Sequence, residues 1–277
     1  MHESIQKLID MALAEDIGTG DITSAAIVDD VRPALGRITA KQSLILAGTD
    51  VARRVFQTID PGIAWDSKRA DGTRCESGDI IAVVDGRARS LLAGERTALN
   101  FLQRLSGIAT VTNLFAHAVR DMNVQILDTR KTTPGWRLLE KQAVRTGGGT
   151  NHRTGLYDHY LIKNNHIACA GSVSAAISKA QQAKKPGQLV EVEVRTIEEA
   201  KAALSAGVDI IMLDNMPVHM VHEAVKTIKG RTKVDVSGNI TLDNLLSYAS
   251  TGVDYVSVGE ITHSAPAMDI HMTVKCT

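Results

Sequence analysis

From about residue 112 onward, short β-rich runs alternate with amphipathic helical stretches, and no other feature restricts the fold of this 277-residue chain so tightly. The runs are Val124–Asp128, Tyr160–Lys163, Leu189–Val194, Asp209–Leu213, Lys233–Val236 and Tyr255–Val258. Strands joined through helices run parallel, because a parallel pair cannot be closed by a tight turn and needs a crossover. Six such units, roughly 20 to 35 residues apart, predict a (β/α) barrel, complete or incomplete, rather than a nucleotide-binding fold of two strands.

The first third reads differently. Ile5, Leu8, Ile9 and Leu13 recur at helical spacing, broken by Glu3, Lys7, Asp10 and Glu15, so the opening stretch is a surface helix and not a signal peptide. Strand-like runs at 37–40, 44–47 and 80–84, separated by Gly, Asp and Pro, predict a compact α+β segment. A helix follows over 91–106, where Leu91, Leu92, Leu99, Phe101, Leu102 and Leu105 form an apolar stripe with Arg96 and Arg104 off it. The length suits a barrel with an accessory domain or one large barrel, and no low-complexity linker divides the chain.

Several partners are excluded on composition. Lys plus Arg and Asp plus Glu both number 31, so no net field steers the chain toward nucleic acid or an anionic membrane. Aromatics make up 3% of residues, too few for a base-stacking platform. Nothing approaches the roughly 18 apolar residues that a membrane helix requires. Cys75, Cys169 and Cys276 have no metal-ligand spacing, and their odd number fits incidental thiols in a reducing, cytoplasmic setting.

The chemistry collects behind the strands. Asp128–Lys131 follows the first run, Lys163–His166 the second, Glu193 ends the third, Asp214–Asn215 follows the fourth, Ser237–Gly238 the fifth and Gly259 the sixth. Carboxyl ends of barrel strands converge on one mouth, where barrel enzymes keep their active sites. Between Arg130 and His166 stand seven Lys or Arg against two acids, which points to a ligand with several anionic groups. Arg137, Lys141 and Arg145 lie four apart on the helix expected over 135–146, and one exposed stripe would account for those three equally well. Glu193 and Asp214 end apolar strands, where an unpaired carboxylate is costly. Their counter-ion is either Mg²⁺ shared with substrate phosphates or a nearby lysine. Ser237, Gly238, Asn239 and Gly259 offer backbone N–H groups at adjacent strand ends, a common barrel phosphate site. The triple glycine 147–149 leads into Asn151–His152–Arg153, which makes His152 a candidate ligand contact.

The runs DTRKTTPG at 128–135, GGGTNHRTGLYD at 147–158, LIKNNH at 161–166, LDN at 213–215 and the segment 258–264 resemble the quinolinate phosphoribosyltransferase family in order and spacing. So do AEDIGTGD at 14–21, ERTALN at 95–100 and SGIAT at 106–110, so the likeness spans nearly the whole chain. The resemblance implies an α/β protein, type II phosphoribosyltransferase-like: an amino-terminal α/β sandwich domain over 1–111, an incomplete (β/α) barrel over 112–265, and a tail, 266–277, packed back on the first domain. It further implies transfer of the ribose 5-phosphate of phosphoribosyl pyrophosphate to quinolinate, giving nicotinate mononucleotide, pyrophosphate and CO₂ in NAD biosynthesis. A homodimer with shared sites, or a larger oligomer, goes with it. Arg130, His152, Arg153 and Lys163 resemble the cations that bind quinolinate, with Lys131 at the base of the pocket and Arg96 reaching in from the neighbouring subunit. Glu193 and Asp214 fall on an acidic pair at the ribose and Mg²⁺, and Ser237, Gly238, Asn239 and Gly259 on phosphate-binding turns. The chain departs from the pattern at Asn164, where Asp is usual, at Asp235, where Glu is common, and at Asn239, which replaces a second glycine.

Other readings remain open on the residues alone. A Schiff-base barrel lyase would use Lys163 as nucleophile. A related phosphoribosyltransferase-fold protein could take another anionic substrate, or bind a phosphorylated metabolite without turnover.

Overall fold

Along Pro33–Ala40 every second side chain is buried, the period of a strand with one face on a core. This strand, β1, belongs to the first of two compact units in the computed structural model, which describes residues 2–277. The first unit comprises residues up to 113, Thr133–Gly148 and Ala265–Thr277. It opens with α1 (Glu3–Ile17) and α2 (Ile22–Ile27), whose amino end is capped by the Asp21 carboxylate. After β1 come β2 (Leu44–Ile45), α3 (Thr49–Ile59), β3 (Ala64–Ser67), β4 (Arg74–Cys75), β5 (Ile80–Arg87) and α4 (Ala88–Ala118). The unit is completed by α5 (Arg137–Thr146) and the last strand of the chain, β12 (Ile270–Cys276). An antiparallel sheet in the order β12-β1-β5-β3 results, with Ile38 opposite Met272 on one side and Ala82 on the other.

Helix α4 has 31 residues and runs past the predicted end at 106. Gly107, a residue type that weakens a helix interior, lies inside it, and a Cβ there would collide with the Pro266 carbonyl. On α5, Trp136 at the cap stacks on Phe101 of α4 at 4.6 Å. Buried Glu140 meets Arg104 at 3.2 Å and the Thr133 hydroxyl at 2.8 Å. The stripe Arg137, Lys141, Arg145 is not one exposed face: Lys141 is buried and Arg137 half-buried.

The second unit, Leu114–Thr132 with Gly149–Ser264, holds the six strands that the alternation predicts. They are β6 (Gln125–Leu127), β7 (Tyr160–Ile162), β8 (Val190–Val194), β9 (Ile210–Asp214), β10 (Lys233–Ser237) and β11 (Tyr255–Ser257), all parallel, in the order β6-β11-β10-β9-β8-β7. Between them run α6 (Asn164–Ala170), α7 (Val173–Ala183), α8 (Ile197–Ser205), α9 (Val218–Ile228) and α10 (Leu242–Ala249), with α11 (Glu260–His263) after β11. The last strand pairs with the first, as in a closed barrel, but β6 and β7 do not pair. The extended segment at Thr150 bridges Leu127 on that edge, so the barrel is incomplete. One face of the sheet packs into an apolar core, with Val190, Val192, Val194, Ile211, Leu213 and Val236 side by side in register and all fully buried. At the amino ends of the strands, acids are consumed locally: Asp209 takes Lys184 and the Val190 amide, each at 2.8 Å, and Asp254 takes Lys233 and the Val234 amide. The opposite ends are left for chemistry.

Candidate active site

A cavity of about 980 Å³ opens at the carboxyl ends of these strands. Its walls include Arg130, Lys131, His152, Arg153, Lys163, Glu193, Asp214, Ser237, Gly238, Asn239 and Gly259, every candidate from the sequence except Arg96. Arg96 is exposed on α4 in the other unit.

The cationic wall is built from a buried post. Asp128, fully buried just after β6, accepts hydrogen bonds from the His152 amide at 2.8 Å and from Asn151 Nδ2 at 2.6 Å. That fixes the segment that follows the triple glycine, and with it the start of the run His152–Arg153. His152 Nε2 lies 2.6 Å from Glu191 Oε2. Arg153 is 7% exposed, and burial, then the neighbouring Arg130 charge, lowers its pKa from the ordinary value. Its Nε is buried without a partner, a donor that an anionic ligand would satisfy. Lys131 passes over Gly259, where an added Cβ would come within 3.0 Å of the lysine Cδ.

The acidic wall follows from period two along β8. Its five residues are all buried, with valines on one face and Glu191 and Glu193 on the other. Glu193 reaches the cavity and meets Lys163 Nζ at 3.4 Å and Asn164 Nδ2 at 3.3 Å. Asn164 thus donates to Glu193, where an aspartate would add a like charge. Asp214 accepts from Asn215 Nδ2 at 2.9 Å and from Arg195 at 3.0 and 3.1 Å. Beside it, Gly238 has φ 107° and Asn239 φ 51°, left-handed conformations that aspartate and asparagine tolerate better than most side chains. A Cβ at Gly238 would collide with the Asn215 amide, so only glycine lets this turn close on the Asp214 loop.

In the layer beneath, sequence reasoning missed Glu191 and noted Asp235 only as a departure from the family pattern. Glu191 and Asp235 are buried, and their acid oxygens lie within 4.8 Å of each other and of a His152 ring nitrogen. Asp235 accepts from Ser257 Oγ at 2.6 Å; burial first, then the Glu191 charge, pushes its carboxyl up to about 8 from 3.8. Alternation in VEVEV and KVDVS was the available signal, since a charge on the inward face of a buried strand is never idle. Asn215 and His263 line the cavity as well; they fall in the runs 213–215 and 258–264, where the sequence assigned neither a role. Asp128, Glu193, Asp214 and Glu260 bring carboxylates to the cavity, and Asp128 holds the 151–152 segment. Glu193 and Asp214, at the ends of paired strands, are hard oxygen donors suited to a metal, and neither Glu191 nor Asp235 lines the cavity.

An incomplete barrel whose mouth gathers Arg130, Lys131, Arg153 and Lys163 beside Glu193, Asp214 and a glycine turn has the make-up of a site for a ligand with several anionic groups. Comparison narrows the class. Residues 21–106 match the quinolinate phosphoribosyl transferase N-terminal domain and residues 108–273 its C-terminal domain. The chain is 44% identical over 273 residues to a probable nicotinate-nucleotide pyrophosphorylase (carboxylating) of Bacillus subtilis, covering 99% of this chain and 94% of that protein. Among solved structures, NadC from Streptococcus pyogenes is 42% identical with a TM-score of 0.95, covering 99% of this chain and 97% of that one. The nicotinate-nucleotide pyrophosphorylase from Francisella tularensis is 40% identical, also at 0.95, covering 99% and 96%. The chain belongs to the quinolinate phosphoribosyl transferase family.

Proposed function

We propose that the chain transfers the ribose 5-phosphate of phosphoribosyl pyrophosphate to quinolinate with loss of CO₂, forming nicotinate mononucleotide. The observation that carries this is the division of one cavity into a cationic wall for a dicarboxylate and an acidic wall beside a phosphate-sized turn. Arg130, His152, Arg153 and Lys163 bind the two carboxylates of quinolinate and turn its ring nitrogen toward C1 of the ribose, the positioning part of catalysis. Lys131 stands at the base of the same pocket as a catalytic residue with Glu193 and Asp214, and Ser237, Gly238, Asn239 and Gly259 receive the 5-phosphate. As pyrophosphate leaves C1, positive charge grows on the sugar and Glu193 and Asp214 stabilise it. Attack by the ring nitrogen on C1 gives a pyridinium whose positive charge stabilises the carbanion left at ring carbon 2 when the 2-carboxylate departs as CO₂. A proton from solvent then takes up that electron pair to give nicotinate mononucleotide.

The two carboxylates of Glu193 and Asp214 suit Mg²⁺ in donor type, and each side chain is only about a tenth exposed. When bound with phosphoribosyl pyrophosphate, the ion supplies charge neutralisation for the departing phosphates. Division into 1–111, 112–265 and a tail, a homodimer with Arg96 completing the partner's site, and a cytoplasmic location belong to the same reading. Among the described residues no helix is long and apolar enough to cross a membrane.

Release of CO₂ from quinolinate carboxyl-labelled at position 2, dependent on phosphoribosyl pyrophosphate, tests the proposal; absence of that release with active controls defeats it. Borohydride trapping with a carbonyl substrate tests the alternative, a Schiff-base lyase using Lys163.

A further inference from the structure

All four oxygens of the acidic pair have protein partners. Glu193 Oε2 faces Lys163, and Oε1 faces Asn164 and, at 3.9 Å, Arg195 Nη2. Asp214 Oδ1 takes Asn215, and Oδ2 takes both Nε and Nη2 of Arg195. One guanidinium nitrogen therefore spans the two carboxylates. Lys163 lines the cavity; Arg195 is the cation of the set that does not.

Arg195 is built to come and go. It is the first residue after β8, and its amide is tied to Glu199 Oε2 at 2.7 Å at the start of α8, so its main chain is anchored. Its side chain is 59% exposed, so leaving costs little desolvation and little packing. The charge count gives the departure a cause. Two carboxylates against Arg195 and Lys163 sum to zero, so a lone divalent cation meets no net negative charge at the place proposed for it. The pyrophosphate group of the donor substrate changes that balance.

We infer that Arg195 is a resident counter-ion of the Glu193–Asp214 pair, holding the metal's place at Asp214 and keeping divalent cations out until they arrive with substrate phosphates. The inference rests on the reading of Glu193 and Asp214 as metal ligands. It makes metal and phosphate binding mutually dependent, because each favours the state in which Arg195 has swung away.

Binding of Mn²⁺ to the purified full-length protein, followed by loss of the free-ion paramagnetic resonance signal, tests it without turnover. In the absence of substrate, Arg195→Ala should bind Mn²⁺ about tenfold more tightly than wild type, the effect of removing one charge beside a partly solvated site. Arg195→Lys should stay near wild type, and adding Asp214→Asn to Arg195→Ala should cancel the gain. With phosphoribosyl pyrophosphate present, wild type and Arg195→Ala should converge. Equal Mn²⁺ affinity of substrate-free wild type and Arg195→Ala overturns the inference, and Arg195→Gln replaces the alanine variant if thermal melts show that one misfolded. Asp214→Asn in the presence of phosphoribosyl pyrophosphate separates the two readings. If it weakens Mn²⁺ binding while Arg195→Ala has no effect, only the counter-ion role fails; if it changes nothing, the metal reading fails too and takes the inference with it.

Discussion

Asp235, buried against Ser257 and close to Glu191, ties the stability of the barrel to pH. Asp235 is fully buried and its carboxyl sits at about 8 when folded, against 3.8 when free. A raised carboxyl pKa means that the folded state binds the proton more tightly. Its contribution to stability is fully present below about pH 4, declines through the window to about 8, and is gone above it. Asp235→Asn cannot titrate, so the stability of wild type relative to this variant should fall from pH 4.5 to pH 8, by at most about 1.4 kcal/mol per unit. Denaturant melts at three pH values check the sign, and a constant difference would show that Asp235 is ionised throughout. A second residue-scale expectation concerns the cations of the mouth. Nicotinate lacks the 2-carboxylate and would leave Arg153 and its neighbours unpaired, so quinolinate should be preferred by about 10⁴ in kcat/KM. Comparable turnover of the two acids would contradict the cationic-wall reading. The residues legible in sequence were those that break a pattern at a strand end, such as Glu193 and Asp214. Arg195 was not, because what it does depends on Asp214, nineteen positions away, and no local pattern records that distance.

At the scale of elements, the six barrel strands were legible because apolar β-rich runs between amphipathic helices have few other uses. Structure and expectation differ at their ends by a residue or two, as at β6, which covers 125–127. The larger difference is α4, expected over 91–106 and found over 88–118, which runs on through Gly107. Two glycines serve this helix. A Cβ at Gly107 would strike the Pro266 carbonyl, and one at Gly147 would strike the Ala109 carbonyl. Local propensity rates Gly107 as a loss of roughly 1 kcal/mol against alanine, and close packing reverses that sign. Gly107→Ala should therefore lower stability by about 1–3 kcal/mol, although alanine is the better helix former. Chemical denaturation decides, and a variant more stable than wild type would mean that the segment at Pro266 yields without cost.

At the scale of the molecule, the sequence shows one change of pattern near residue 112, while Thr133–Gly148 and Ala265–Thr277 join the first compact unit. Periodicity tells what an element is and not what it packs on, so excursions of this kind leave no local trace. The whole-molecule expectation concerns Arg96, exposed on α4, whereas the other proposed ligands line the cavity of the second unit. If Arg96 completes the site of a partner subunit, lesions at Arg96 and at Lys163 complement each other; if it serves its own chain, they do not. Arg96→Ala and Lys163→Ala should each be inactive alone. Mixed in equal amounts, dissociated and reassembled, half of the dimers carry one subunit of each kind. Such a dimer has one site with both lesions and one with neither, so about a quarter of wild-type activity should return. Under the alternative every site keeps a lesion and nothing returns. Exchange must be verified independently, for example by mass-tagged subunits, and a mixture that exchanges fully yet stays inactive would place Arg96 outside the partner's site even if the protein is a dimer.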